Sequence, residues 1–91
     1  DPALDLGVVC AILSSNFDLH IPSTICFIGE VGLSGEIRPV TRTKQRIGEA
    51  IKMGFKTIYI SKYVKDISTK TSKAKLIKVS KVQEVMLQLF N

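Results

Sequence analysis

From Ala3 to Ser15 the chain carries nine aliphatic or thiol side chains and a single charge, Asp5. A helix that is apolar on most of its circumference must be buried on most sides, and this constrains the chain more than any other feature. The run is too short to span a bilayer, which takes about 20 apolar residues. A helix-start pattern precedes it. Asp1 can cap, and Pro2 suits the first helical position because its missing N–H would be unpaired there anyway. The pattern predicts a helix over residues 2–15, part of whose cover comes from chain upstream of residue 1.

The remainder reads as short helix–strand units. Thr24 to Ile28 is an apolar run bounded by Gly29, as in a buried strand. Gly32 and Gly35 frame a tight turn at Leu33-Ser34, and Glu36-Ile37-Arg38 alternates like a strand that Pro39 ends. Residues 41–53 form an amphipathic helix stopped by Gly54, with Ile47, Ala50 and Ile51 on its apolar arc. Lys44 lies about 20° from Ile51 on the helical wheel, at the edge of that arc and placed for partial burial. Phe55 to Ile60 is a second buried strand and Lys62 to Ile67 a short helix. A polar loop, residues 68–73, leads to a third strand at Leu76, Ile77 and Val79. Val82 to Phe90 closes the chain with an apolar face of Val82, Val85, Met86, Leu89 and Phe90. The alternation predicts an α/β fold. Ninety-one residues, 45% of them hydrophobic, suffice for one modest core, so residues 1–91 read as a single domain.

Charge divides the chain. Residues 1–40 hold five acids against Arg38, whereas residues 41–91 hold twelve basic residues against three acids. Such asymmetry marks either a surface that faces a polyanion or lysine-rich loops that keep the chain soluble. Other chemistries are poorly supported. His20 is the one histidine and neighbours no acid or cysteine in sequence, and no GxxxxGK[ST] phosphate loop is present. Gly29, Gly32 and Gly35 lack the placement of a nucleotide-binding turn. Cys10 and Cys26 sit among aliphatic residues without metal-ligand spacing, as small core residues of a reducing compartment do. The one catalytic arrangement left is a serine–lysine dyad, with Lys44 as base and Ser14, Ser15 or Ser34 as nucleophile.

Three stretches carry a resemblance: DPALDL at residues 1–6, GEVGLSGEIRPV at 29–40, and Gly54-Phe55-Lys56. Together they resemble the carboxy-terminal domain of the bacterial RadA (Sms) family of DNA repair and recombination ATPases. That domain is related to the Lon protease domain, of the ribosomal protein S5 domain 2-like fold. Sister domains in magnesium-chelatase-type proteins share the fold but look less similar in the twelve-residue run. The resemblance covers nearly the whole chain and implies a Lon-like domain lacking its amino-terminal strands. In Lon the nucleophilic serine follows a proline at the start of the first helix; here Ala3 follows Pro2. Lys44 stands at the Lon lysine position, where RadA proteins usually lack a lysine. With no hydroxyl at Ala3, the resemblance implies a protease-dead module and no catalytic residue.

What the resemblance implies about partners is equally specific. The parent would be a cytoplasmic, hexameric, ATP-dependent branch-migration protein with a zinc finger, so ATP, Mg and Zn are expected in the parent and no cofactor or metal in this chain. The expected role is assembly and sequence-independent contact with DNA, with Arg38, Arg42, Lys44 and Arg46 as candidate contacts. The alternatives are a pure oligomerisation scaffold without DNA contact and, disfavoured by Ala3, a serine–lysine peptidase.

Overall fold

The computed structural model describes residues 3–68 and 73–90. In chain order these form β1 (Leu4–Asp5), α1 (Leu6–Asn16), β2 (Ile25–Ile28), β3 (Glu30–Val31), β4 (Ile37–Arg38), α2 (Thr43–Lys52), β5 (Thr57–Ser61), β6 (Lys75–Val79) and α3 (Val82–Phe90). The fold is a small mixed α/β domain with two sheets. One is parallel, in the order β2-β5-β6, with Ile28 opposite Ile60 and Ser61 opposite Val79. The other is a small antiparallel sheet, β1-β3-β4.

β5 lies at the centre of the parallel sheet, and its side chains alternate between two cores. Ile58 and Ile60 join Ile28, Ile47, Ala50 and Leu76 under α2. Tyr59 packs with Leu6 and Cys10 of α1, Val85 of α3, and Val31 and Ile37 of the small sheet. The ring of Tyr59 also stacks on Phe27, with centroids 5.5 Å apart. Burial pushes the Cys10 thiol up to about 11, and both cysteines are unpaired, as core residues.

The start of the first helix differs from expectation. α1 begins at Leu6, and its cap is Asp5, whose Oδ1 accepts the Val8 N–H at 3.0 Å. Leu4 and Asp5 are already engaged as strand partners of Val31 and Glu30, and the Leu6 N–H donates to the Gly29 carbonyl at 2.9 Å. Sheet pairing thus takes the residues that local pattern assigned to the helix, while Asp1 and Pro2 lie outside the described residues. The helix is also less enclosed than its composition suggests. Leu6, Cys10 and Ser14 are buried, but Val8 and Ile12 are 52% and 54% exposed.

A second difference follows β5. No helix forms over Lys62 to Ile67. The Ser61 Oγ takes the Tyr63 N–H at 3.1 Å, the Val64 N–H closes one turn onto the Ser61 carbonyl, and Asp66 adopts a left-handed φ of 60°. A residue in that conformation does not propagate a right-handed helix. α2 and α3 lie within a residue or two of their expected bounds, and Gly54 follows α2 at φ 94°, a value glycine tolerates readily. Of the polar loop, residues 69–72 lie outside the described set. Among the described residues no helix is long and apolar enough to cross a membrane.

The two sheets are joined through the backbone of Ile37, which is fully buried. Gly32 N–H donates to the Glu36 carbonyl at 2.9 Å, so residues 32 and 36 form a hydrogen-bonded pair of the β3–β4 ladder. Antiparallel pairs alternate, which makes Val31–Ile37 the non-bonded pair and turns both polar groups of Ile37 away from β3. They meet the parallel sheet instead. The Ile37 N–H donates to the Ser80 carbonyl at 2.9 Å, and the Ile37 carbonyl accepts the buried Ser61 hydroxyl at 2.9 Å.

The hairpin tip carries its own clasp. Arg38 Nη2 meets Glu36 Oε2 at 2.7 Å, and Glu36 Oε1 accepts the Ser34 N–H. A Cβ at Gly32 would lie 2.5 Å from Glu36 Oε2 and 2.6 Å from Arg38 Nη2, so the ion pair in this position lies over a bare backbone and would have to shift for any larger residue. The hydrogen bond from Arg38, more than any other influence, holds the Glu36 carboxyl down at about 2.

Two outcomes follow. Ser61→Ala strips the Ile37 carbonyl and the Tyr63 N–H of a partner and should destabilise the fold by about 1–3 kcal/mol in urea unfolding; an unchanged midpoint would contradict the bridging role. Glu36 titrates lower in the folded chain than at its ordinary 4.5, so its contribution is complete above that value and fades as pH falls toward 2. The stability difference between wild type and Glu36→Gln should therefore narrow across that interval.

Candidate nucleic-acid interface

Downstream of the hairpin the chain turns sharply into α2. Thr43 is buried, and its Oγ1 donates to the Val40 carbonyl at 2.7 Å, closing the turn. That closure places Arg42, the residue preceding the helix, in the left-handed region at φ 58° and ψ 36°. A long non-glycine side chain pays for such a conformation with about 1 kcal/mol or more. Arg42 makes no side-chain cap, and the first turn of α2 holds no acid. The helix therefore presents its unpaired N–H groups and positive end beside two cations, Arg42 and Lys44.

Arg42 and Lys44 line one open cavity of about 520 Å³, faced across the gap by Tyr63, Lys65 and Asp66. Lys44 is exposed, not partly buried as the helical wheel suggested; Thr43 is the buried residue of that turn. The stem of Lys44 nevertheless borders a smaller cavity with Ile47 and Ile51, consistent with the edge of the apolar arc. Arg46 is exposed one turn further along α2, its N–H donating to the Arg42 carbonyl. Arg38 is held elsewhere, half-buried in β4 and paired with Glu36. Of the four candidate cations, the structure thus brings Arg42 and Lys44 to one cavity and leaves Arg46 beside it and Arg38 in the small sheet.

Lys65 and Tyr63 were missed because the segment reads as a short helix. The available signal was topological. Ligands of parallel sheets gather beyond the carboxyl ends of the strands, and Lys62 to Ile67 leaves the carboxyl end of β5. The residues of the peptidase alternative are dispersed. Ala3 is half-buried ahead of β1, and the buried Ser14 bonds the Ala11 carbonyl within α1. Ser15 is exposed on α1 and Ser34 sits in the hairpin turn; none of these lines either cavity that Lys44 borders. His20 is exposed in the loop after α1. Among the described residues no group of three or more His, Cys, Asp or Glu is placed to hold a metal ion.

Known proteins are similar to this sequence. The family described as subunit ChlI of Mg-chelatase matches residues 1–63. DNA repair protein RadA of Streptococcus pneumoniae is 44% identical over 90 residues, covering 99% of this chain and 21% of the relative. RadA of Listeria monocytogenes is 55% identical over 62 residues, which is 68% of this chain and 14% of the relative. RadA of Bacillus subtilis is 44% identical over 86 residues, 94% of this chain and 19% of the relative. The chain spans about a fifth or less of the length of these curated relatives. It belongs to the family of subunit ChlI of Mg-chelatase, and the proteins it matches across nearly all its length are RadA DNA repair proteins.

Proposed function

We propose that this chain acts in DNA repair as a non-catalytic, Lon-like module of a RadA-type protein, contacting the DNA backbone and contributing to assembly. The observation that carries the reading is the convergence of Arg42, Lys44 and Lys65 on one open cavity at the start of α2. Cations beside the positive end of a helix are unfavourable in isolation. A phosphate placed among them relieves that repulsion and takes hydrogen bonds from the helix start. Arg46, exposed on the next turn, extends the same surface, whereas Arg38 serves the hairpin. Contacts from these cations to phosphates carry no sequence information, so binding to duplex is independent of sequence.

The remaining parts of the reading rest on the resemblance. Ala3 at the position of the Lon serine offers no hydroxyl to activate, so Lys44 serves charge and not hydrolysis. ATP, Mg and Zn belong to portions of the cytoplasmic parent outside these residues, as does the ATPase that drives recombination. Assembly, in a hexameric ring on the family picture, is supported by apolar side chains left in solvent. Val8 and Ile12 stand out from α1, and Phe17, Leu19 and Leu87 border an apolar groove of about 280 Å³ between α1 and α3. This second surface also favours the scaffold reading, in which the apolar faces matter and the cations do not.

Two measurements separate them. Fluorescence anisotropy of labelled DNA over a salt series should show affinity whose logarithm falls linearly with log salt. Arg42→Ala and Arg46→Ala should each reduce the slope by about 1, and absence of binding at low salt would leave only the scaffold. Light scattering should show self-association that rises with concentration; a strictly monodisperse monomer would remove the assembly role.

A further inference from the structure

The cavity at the start of α2 is not built like a bare phosphate site. Beyond Arg42, Lys44 and Lys65 it is walled by Val40, Val64 and an exposed aromatic, Tyr63. A phosphate needs none of these apolar surfaces. We infer that the cavity accepts one unstacked base of single-stranded DNA against Tyr63, while Arg42, Lys44 and Lys65 hold the flanking phosphates. The inference rests on the DNA-contact reading and makes it specific to strand type, because a base within a duplex is stacked on both faces and cannot enter.

Three features carry it. Tyr63 is 57% exposed, whereas the other tyrosine, Tyr59, is buried against Phe27. An exposed ring beside cations is the combination that single-strand binders use, stacking for the base and charge for the backbone. Second, the backbone that carries the ring is anchored. The Tyr63 N–H is bonded to the buried Ser61 hydroxyl at 3.1 Å, and Lys62 Nζ lies over the ring, 5.4 Å from its centroid. Third, Asp66 also lines the cavity. A carboxylate repels phosphate but accepts a hydrogen bond from an exocyclic amine of a base, which suits it to the base and leaves the phosphates to the cations. The volume of about 520 Å³ is within the range of sites for small organic groups.

The chain contains no tryptophan and two tyrosines, so the part of the tyrosine emission that Tyr63→Phe removes reports on Tyr63, above the background of Tyr59 buried against Phe27. Titration with a mixed-sequence oligodeoxynucleotide of about 15 residues, single-stranded or annealed to its complement, tests the inference. Expected are quenching by the single strand alone, and a loss of single-strand affinity of roughly tenfold in Tyr63→Ala with the salt slope unchanged. Duplex affinity should stay within about twofold, since backbone contact alone sets it. Tyr63→Phe should keep the affinity and lose the quenching, which separates loss of stacking from loss of fold. If Tyr63→Ala binds the single strand as tightly as wild type, or if duplex quenches equally, the base pocket is overturned while backbone contact stands. If wild type binds neither form at low salt, both readings fall together.

Discussion

Both polar groups of the Ile37 backbone leave the small sheet and bond to the parallel one, and the rest of the architecture depends on that reach. A buried N–H and carbonyl without partners would cost several kcal/mol, so the strand can sit in the interior only if another element receives them. Ser80, at the end of β6, supplies the acceptor, and Ser61, at the end of β5, supplies the donor. The side chain of Ile37 then completes the core shared by Leu6, Tyr59 and Val85. One residue thereby joins two sheets by hydrogen bonding and by burial at once.

The same junction arranges the candidate site. Ser61 Oγ sits between the Ile37 carbonyl and the Tyr63 N–H, so the segment carrying Tyr63 and Lys65 is tied to the strand that leads to Arg42 and Lys44. Thr43 fixes the other wall by bonding Val40. The two walls of the cavity are therefore registered to one another through the buried Ser61 hydroxyl. A site built on element ends secured in this way holds its geometry better than one carried by a long loop.

How much of this was legible from sequence depends on whether the signal was periodic or relational. β2, α2, β5, β6 and α3 announce themselves through runs and arcs such as Ile47, Ala50 and Ile58 to Ile60, because burial of a repeating face leaves a repeating pattern. β1 and β3, two residues each, carry no period. Leu4 and Asp5 read as the start of a helix until their partners Val31 and Glu30 are known. The segment after β5 fails for a related reason: Lys62 to Ile67 has the composition of a short helix, but the Ser61 hydroxyl and the left-handed Asp66 decide its path. Arg42, Lys44 and Arg46 were visible as a cluster because they share one helix start, and Arg38 was grouped with them by proximity in sequence. Its partner Glu36 lies two residues away, on the same face of β4, where alternation could have paired them. Tyr63 and Lys65 had no such local signal, since their relation to Arg42 runs through β5.

Glu36–Arg38 and Arg42–Lys44 show opposite treatments of charge within nine residues. The first pair is neutralised, hydrogen-bonded and fitted over Gly32. The second is left as like charges at the positive end of a helix, with Arg42 in a conformation that glycine would adopt more easily. Consistency across local rules is what ordinarily makes a sequence specify a fold, and departures concentrate where a ligand completes the arrangement. Stability alone would favour an acid or a serine at the start of α2 and a glycine at residue 42. That the chain places two cations there, while it pairs those at the hairpin with care, is the physical ground on which the proposal of a phosphate ligand rests.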